Sequence, residues 1–338
     1  MSRTVLLTGI TGYIARHVAV RLLNAGFTVR GSLRDTARAD EVREALMPRL
    51  ADVADLDARL GFVALDLARD DGWADAMAGI DTLVHTASPF PGGKPKHPDD
   101  VIRPAVDGTR RALTAAAEAG VNRVVLTSSV VAIMGGATGQ VDESDWSDID
   151  RKGAGAYEIS KTRAERTAWD IAAERNLTLT TINPGLVTGP PLGASWGTSV
   201  GIVQQILRGK MPLLPDIGFP VVDVRDVAEM HLRALTRPGT GGKRFIAAAA
   251  PDMRLRDIAQ TLAKAYPDRK IPTRRAPNLM IRAAALFDAT AREFAPQLGL
   301  SRPASNARAR EVMDLDFLDA RDSLRDTADF LVENGHVQ

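Results

Sequence analysis

A tyrosine and a lysine in the middle of the chain have the spacing of an acid–base pair. Tyr157 and Lys161 stand four residues apart, so both would lie on one face of a helix. There the ammonium group of Lys161 would favour the phenolate form of Tyr157 by charge attraction. Such a phenol can donate a proton to a carbonyl oxygen and take it back from an alcohol. We therefore predict that Tyr157 is a catalytic acid and base and that Lys161 assists it.

Three hydroxyl side chains follow a short apolar run upstream of this pair. Val124-Val125-Leu126 has the character of a buried strand, and Thr127, Ser128 and Ser129 come directly after it. A serine at that position can hydrogen-bond a substrate oxygen as negative charge develops on it. We predict Ser129 as that residue and place Thr127 beside a bound cofactor. The alternative is that the three residues form only a turn at the strand end.

The amino-terminal segment has the composition of a phosphate-binding loop. An apolar run leads into Thr8-Gly9-Ile10-Thr11-Gly12-Tyr13-Ile14-Ala15, with small residues at the positions of a G-x-x-G-x-x-A pattern. The first glycine permits a tight turn, the second allows the backbone to approach a pyrophosphate, and the third position lets the helix pack closely. Amide groups at the start of that helix would then face the phosphates. Against a purely structural turn, we predict dinucleotide binding by Gly9, Thr11, Gly12, Tyr13 and Ile14.

The end of the second predicted strand indicates which dinucleotide is bound. Sites for NAD usually have an acidic residue there that binds the 2′-hydroxyl of the ribose. This chain has Ser32 and Leu33 followed by Arg34, and a guanidinium suits a 2′-phosphate because it forms paired hydrogen bonds. We therefore predict NADP(H), bound by Arg34 with a contribution from Arg38. The alternatives are that both arginines are solvated or that Arg34 pairs with Asp35.

Two further strand ends carry residues that would line the same cleft. Asp66 and Leu67 end the third strand, where the carboxylate could accept a hydrogen bond from adenine or could cap the next helix. His85 is flanked by apolar residues, which is typical of a buried structural histidine, and we exclude it from catalysis. At the sheet edge after the fourth strand, where ligands of such folds bind, the chain has Thr86, Ala87 and Ser88.

The elements that position these residues alternate between strands and helices. Apolar runs predict strands at residues 5–7, 28–33, 62–65, 82–85, 124–126 and 177–182. Amphipathic stretches predict helices at 13–24, 41–50, 73–78, 101–119 and 156–174. This alternation predicts an α/β fold, a Rossmann-type doubly wound parallel sheet covered on both faces. It assigns 1–188 to an NADP-binding domain, to which 221–236 returns, and 189–338 to a smaller, mostly helical substrate-binding lobe.

Composition restricts the partners and the compartment. The 338 residues include 43 Lys and Arg against 42 Asp and Glu, without the basic excess typical of nucleic-acid binding. No segment approaches the ~20 apolar residues of a membrane helix, and no signal peptide is visible. The absence of cysteine excludes disulfides and thiol chemistry, and the five histidines lack the spacing of a metal site. We expect a cytoplasmic protein without a metal that acts on a small molecule.

Together these motifs resemble those of the extended short-chain dehydrogenase/reductase superfamily, in particular its dihydroflavonol 4-reductase and aldehyde or ketone reductase branch. The resemblance rests on the glycine loop, on the strand ends around residues 34, 66 and 85–89, on the serine pair, and on residues 157–161, 183–187 and 222–228. It implies Ser129, Tyr157 and Lys161 as the catalytic residues, with Lys161 also binding the nicotinamide ribose. Further cofactor contacts that it implies come from Pro184, Gly185, Leu186 and Val187.

Three positions depart from the pattern of this family. Ala15 replaces the third glycine of the loop, which this branch accepts. Asp107 stands where many extended relatives have asparagine, so the resemblance does not carry a proton relay over to that position. Flavonoid reductases have an asparagine soon after the serine pair, where residues 130–134 are all apolar in this chain. That change favours a less polar carbonyl substrate than a flavonoid.

These residues predict reversible, NADPH-dependent reduction of an aldehyde or ketone to an alcohol. One alternative is a sugar-nucleotide epimerase or dehydratase that retains bound NAD, against which Arg34 argues. Another is a regulator that binds NADP without chemistry, against which the presence of both Tyr157 and Lys161 argues. We expect a monomer or a homodimer. The predicted pocket residues, each of which could instead belong to the core of the lobe, are Phe90, Met134, Trp196 and Phe219.

Overall fold

The centre of the molecule is a parallel sheet. A computed structural model describes residues 3–88, 97–287, 295–300 and 302–337 of the chain. Its strands are β1 (Thr4–Thr8), β2 (Thr28–Leu33), β3 (Leu60–Ala64), β4 (Thr82–His85), β5 (Arg123–Thr127), β6 (Thr178–Pro184), β7 (Leu186–Thr188), β8 (Gly218–Asp223), β9 (Lys243–Ala247) and β10 (Ala249–Arg254). Seven of these strands pair in parallel, in the order β3-β2-β1-β4-β5-β6-β9. The predicted Rossmann-type α/β fold is therefore confirmed, with its change of direction between β1 and β4, where such sheets bind ligands.

Helices cover both faces of this sheet. In chain order the described helices are α1 (Tyr13–Asn24), α2 (Ala39–Leu46), α3 (Leu56–Arg59), α4 (Trp73–Met77), α5 (Asp99–Glu118), α6 (Val131–Met134), α7 (Ala156–Glu174), α8 (Thr198–Leu207), α9 (Val224–Thr236), α10 (Leu255–Ala265), α11 (Asn278–Ala284), α12 (Ala307–Met313) and α13 (Ala320–Glu333). α1 packs against α9 on one face, and α5 packs against α7 on the other. None of the described helices combines the length and the apolar character needed to cross a membrane.

Alternating side chains of the strands fill two separate cores. Val5 and Leu7 of β1 pack with α1 and α9, whereas Leu6 between them packs with α4, α5 and α7. β4 repeats the pattern, because Val84 belongs to the first core and Leu83 to the second. Successive residues of a strand point to opposite faces, so a strand covered on both sides needs an unbroken apolar run. These runs are the signal that the sequence analysis uses.

Many of the predicted bounds agree with the structure. α1, β2, β4 and α7 begin and end at the predicted residues. α2 ends at Leu46 rather than at residue 50, because Pro48 lies in a 3-10 turn that follows. Proline lacks the amide hydrogen that an α-helix requires in its interior.

The boundary at residue 188 needs correction. β9 lies within the range 189–338 that the sequence assigns to the lobe, yet it pairs with β6 as the last strand of the main sheet. β7, β8 and β10 form a separate three-stranded sheet. β9 begins with Lys243 and Arg244 directly after two glycines and has only three apolar residues, and so short an apolar run cannot be distinguished from other buried segments by periodicity.

Candidate active site

The glycine loop joins β1 to α1 at the carboxyl edge of the sheet. Gly9 has a φ of +68°, which favours glycine, and a side chain there would come within 2.8 Å of the Cβ of Ala87. Gly12 precedes α1 and has no side chain to cap it, so the first amide groups of this helix lack a side-chain partner. Free amide groups at the positive end of a helix suit a phosphate. The loop therefore fits the pyrophosphate of the predicted dinucleotide.

Tyr13 has a structural partner for its side chain. Its buried hydroxyl donates to the carbonyl of Gly189 at 2.7 Å, and burial raises the pKa of the phenol. Thr11 and Ile14 are half-buried beside it. The hydroxyl of Tyr13 thus has a partner within the protein, and a cofactor contact of this residue stays a prediction.

The end of β4 is fastened to the glycine loop through Thr8. Its hydroxyl lies 2.9 Å from Nδ1 of His85 and accepts the amide groups of Thr86 and Ala87, each at 3.2 Å. Burial and the positive charge of Lys161 lower the pKa of His85 to about 3. His85 is therefore neutral near pH 7.

Arg34 follows the end of β2 on the surface. Ser32, still within the strand, is buried and its hydroxyl accepts the amide of Gly9 at 3.1 Å, so this strand end adjoins the glycine loop. The Asp35 carboxylate accepts the amide of Ala37 at 3.0 Å. Among the described residues Arg34 has no ion-pair partner, so the predicted alternative of an Arg34–Asp35 pair is wrong. The exposed guanidinium is available to an anion.

Arg38, the second predicted phosphate ligand, is already paired. Its Nε and Nη2 donate to the carboxylate of Glu41 at 2.8 and 3.0 Å. The same carboxylate accepts a hydrogen bond from Arg16, whose side chain is 1% exposed. Glu41 was not among the predicted site residues, although its spacing of three residues from Arg38 is a recognisable signal of a helical ion pair.

The end of β3 has the predicted residues but a different cap. Asp66 is half-buried and its carboxylate accepts the amide of Ala68 at 2.9 Å, which closes a turn. It does not cap the next helix, because Gly72 stands at the N-cap of α4. Leu67 is half-buried near α5, and Ser88, after β4, is exposed. An adenine contact for Asp66 stays a prediction.

Two of the three hydroxyls at the end of β5 bond to neighbouring helices. The Thr127 hydroxyl lies 2.6 Å from Nε2 of His231 on α9, so this side chain does not face the cleft. Ser128 is buried and donates to a carboxylate oxygen of Glu165 on α7. Both residues thus support packing around the strand end, and the predicted cofactor contact of Thr127 is left to its backbone.

Ser129 differs from these two neighbours. Its hydroxyl oxygen accepts the amide of Val131 at 3.3 Å, and its carbonyl accepts Nδ2 of Asn183 at 3.2 Å. Within the described part of the chain its hydroxyl proton has no acceptor. The backbone of Ser129 is therefore held while its hydroxyl remains able to donate to a ligand.

Tyr157 and Lys161 lie in the first turns of α7, which packs against α6 directly after Ser129. The Tyr157 side chain is 39% exposed, so the phenol is neither in the interior nor fully in water. Nζ of Lys161 lies 5.9 Å from the centre of its ring. The two side chains are therefore neighbours on one face of α7, as the spacing predicts.

Gly185 joins the end of β6 to β7 of the small sheet. Pro184 accepts the amide of Val130 at 2.9 Å, and the amide of Gly185 donates to Ala247 at 3.0 Å. A Cβ on Gly185 would lie 2.1 Å from the carbonyl oxygen of Pro220, so only glycine fits. The next two predicted cofactor residues, which pair with β8 as part of β7, are Leu186 and Val187.

A buried polar network below the serine pair was not predicted. Glu165 is 1% exposed and accepts hydrogen bonds from Ser128, Asn183 and the Nε of Arg244, the last at 2.7 Å. The Arg244 guanidinium also stacks on Trp146, 3.8 Å from the ring centre. Glu165 stands four residues after Lys161, on the same helical stripe, which was the available signal.

Of the four predicted pocket residues, the structure describes three. Phe90 lies outside the described residues. Met134 ends α6, half-buried, and Phe219 is half-buried on β8 opposite Met253. Trp196 packs edge-on against His336 and Phe330, with ring centres 4.6 and 6.2 Å apart, so it belongs to the packing of the lobe. Asp107 is exposed on α5.

The chain is similar in sequence to a known family and to reductases. The sequence model of the NAD dependent epimerase/dehydratase family matches residues 5–248. Cinnamoyl-CoA reductase 1 of Arabidopsis thaliana is 32% identical over 341 residues, covering 99% of this chain and 91% of the relative. Dihydroflavonol 4-reductase of Zea mays is 30% identical over 282 residues, covering 80% of this chain and 76% of the relative.

Solved structures give the same result. Yeast methylglyoxal/isovaleraldehyde reductase Gre2 complexed with NADPH has a TM-score of 0.79 at 25% identity, covering 99% of this chain and 100% of that one. Gre2 of Candida albicans with NADPH has a TM-score of 0.77 at 27% identity, with coverages of 98% and 99%. The resemblance found in the sequence is confirmed: this chain belongs to the NAD dependent epimerase/dehydratase family, within the extended short-chain dehydrogenases/reductases.

Proposed function

We propose that this protein reduces the carbonyl group of an aldehyde or ketone to an alcohol, with NADPH as the hydride donor. The predicted oxidoreductase class and cofactor are confirmed by relatives named as reductases and by the NADPH in both Gre2 structures. The observation that carries the carbonyl assignment is the Ser129 hydroxyl, free to donate, beside the helix that bears Tyr157 and Lys161.

Each of these residues has a distinct task in the proposed reaction. When bound, NADPH supplies a hydride from its nicotinamide ring. Ser129 donates a hydrogen bond to the carbonyl oxygen and so stabilises the negative charge that develops there. Tyr157 gives its phenolic proton to that oxygen, and Lys161 stabilises the phenolate that remains. In the direction of alcohol oxidation the same phenolate takes the proton back.

The neighbourhood of Ser129 supports a substrate of low polarity. The residues after it form α6, in which Ala132 and Ile133 are buried and Met134 is half-buried. No side chain of this helix can hydrogen-bond a polyphenol hydroxyl. We therefore propose an aliphatic or aryl carbonyl compound rather than a flavonoid.

Tyr157→Phe tests the catalytic assignment directly. NADPH oxidation is measured with aliphatic aldehydes, aryl ketones, β-keto esters and flavanones, and NADPH binding is measured by fluorescence titration. Loss of the proton donor should lower kcat at least about 100-fold while the dissociation constant of NADPH changes little. Unchanged turnover would exclude Tyr157 as the acid.

Tyr266→Phe is the matched control. It removes the same hydroxyl from a tyrosine of the lobe that donates to Asp329, and turnover should stay within about twofold. Another observation would favour the alternative enzyme class. Protein purified with bound NAD that oxidises NADPH with none of these carbonyls would contradict the proposal and indicate an epimerase or dehydratase.

A further inference from the structure

Three arginines and one carboxylate surround the place where the second strand ends. Arg38 donates twice to Glu41, at 2.8 and 3.0 Å, and Arg16 donates to the same carboxylate from the interior. Arg34 is exposed and has no ion-pair partner among the described residues. The charge of Arg38 is thus compensated, whereas that of Arg34 is not.

Glu41 is a permanent anion at this position. Hydrogen bonds from Arg38 and Arg16 lower the pKa of its carboxyl group to about 2. The carboxylate is 44% exposed, so its field reaches the surface on which Arg34 and Arg38 lie. A 2′-phosphate that approaches Arg38 has to displace this carboxylate or remain beside it, and like charges at short range repel.

We propose that Glu41 sets the preference between NADPH and NADH by holding Arg38 away from the 2′-phosphate. Discrimination then rests mainly on Arg34, and the affinity for NADPH is lower than two available arginines would provide. Glu41 acts through Arg38 and is therefore a positioning residue. The inference rests on the proposed use of NADPH and extends it to a residue that determines cofactor specificity.

A purely structural role for Glu41 makes a different prediction. The Arg16 guanidinium is buried, with Nη1 bonded to the carbonyl of Leu192 and Nε without a partner among the described atoms. If Glu41 served only to neutralise Arg16 and to join α1 to α2, its loss would lower stability. It would then change the affinities for NADPH and NADH by the same factor.

The test compares Glu41→Gln with Asp40→Asn. Asp40 is the adjacent exposed carboxylate on the same helix, so both variants raise the net charge by one unit. Dissociation constants for NADPH and NADH are measured by fluorescence titration of the full chain. We expect Glu41→Gln to bind NADPH about fivefold more tightly, with NADH unchanged within about twofold and Asp40→Asn unchanged for both, since one released arginine contributes roughly a charge-assisted hydrogen bond.

Arg38→Ala completes a double-mutant cycle with Glu41→Gln. It also tests the proposal by itself if Glu41→Gln does not fold. In the wild type, Arg38→Ala should weaken the binding of NADPH at most about threefold, clearly less than Arg34→Ala does. In the Glu41→Gln background, Arg38→Ala should abolish the gain in NADPH affinity that Glu41→Gln produces. An equal shift for both cofactors, an equal gain in Asp40→Asn, or a loss in Arg38→Ala as large as in Arg34→Ala would overturn the proposal. The binding constants need no substrate, so they remain interpretable if carbonyl reduction itself is not observed.

Discussion

Removal of the Glu165 carboxylate tests how the buried polar network supports the active-site strands. Glu165 accepts Nε of Arg244 and Nδ2 of Asn183, both at 2.7 Å. Its side chain is 0% exposed and that of Arg244 is 7% exposed. Glu165→Ala therefore leaves a guanidinium in the interior without its counter-charge, which costs about 3–5 kcal/mol of unfolding free energy.

That loss converts into a measurable change in melting temperature. An unfolding entropy of about 2.1 cal/mol/K per residue gives about 0.7 kcal/mol/K for 338 residues. Calorimetry should therefore find Tm lowered by about 4–7 °C. The control is Glu174→Ala, at the end of the same helix, where a 69% exposed side chain pairs with the exposed Arg175. Such surface pairs contribute about 0–1 kcal/mol, so its Tm should fall by about 1.5 °C at most.

A double substitution identifies the cause. Glu165→Leu combined with Arg244→Met removes both charges and leaves apolar side chains of similar length, so the double variant should lose less stability than Glu165→Ala. The reasoning fails if Glu165→Ala lowers Tm no more than Glu174→Ala. It also fails if the stability lost by the double variant equals the sum of the losses of Glu165→Leu and of Arg244→Met, each measured alone.

Two further substitutions test the cofactor site and the buried histidines. Arg34→Ala should weaken NADPH at least about tenfold, or 1.4 kcal/mol, and NADH less than about twofold; equal losses in a fluorescence titration would exclude a contact with the 2′-phosphate. His231 is fully buried and its pKa is lowered to about 4, first by burial, so the unfolded chain gains a proton near pH 6.5 that the folded chain gains only near 4. Stability from this residue is therefore lost as the pH falls through that window, by up to about 1.4 kcal/mol per pH unit. His231→Gln should flatten the dependence of Tm on pH between 6.5 and 4.5, and a profile parallel to that of the wild type would contradict this account.

The predictions that agree with the structure rest on local signals. An unbroken apolar run such as Val5-Leu6-Leu7 is required by a strand buried on both faces, and a glycine such as Gly9 is required by a positive φ. Each of these signals is contained in a few consecutive residues of the chain. Consequently the sequence alone predicts the parallel sheet and the phosphate loop.

Features that the sequence analysis missed depend on residues far apart in the chain. Arg244 and Glu165 are separated by 79 positions and meet only because β9 joins the sheet beside β6. The periodicity of the sequence does not predict that pairing. It does not predict the contacts of Trp196 either, because its partners come from the carboxyl-terminal segment. Glu41 differs, because its position three residues after Arg38 made the ion pair accessible to sequence reasoning.

The three hydroxyls after β5 show where local and distant information meet. The sequence places Thr127, Ser128 and Ser129 at one strand end, but composition does not rank them. Alternation directs Thr127 towards α9, where His231 lies, and Ser128 towards α7, where Glu165 lies. Each partner hydrogen-bonds one of these hydroxyls, which is then not available to a substrate. Of the three, Ser129 alone has no acceptor for its hydroxyl proton among the described residues, so its proposed role depends on the partners that helices over 30 residues away provide for its neighbours.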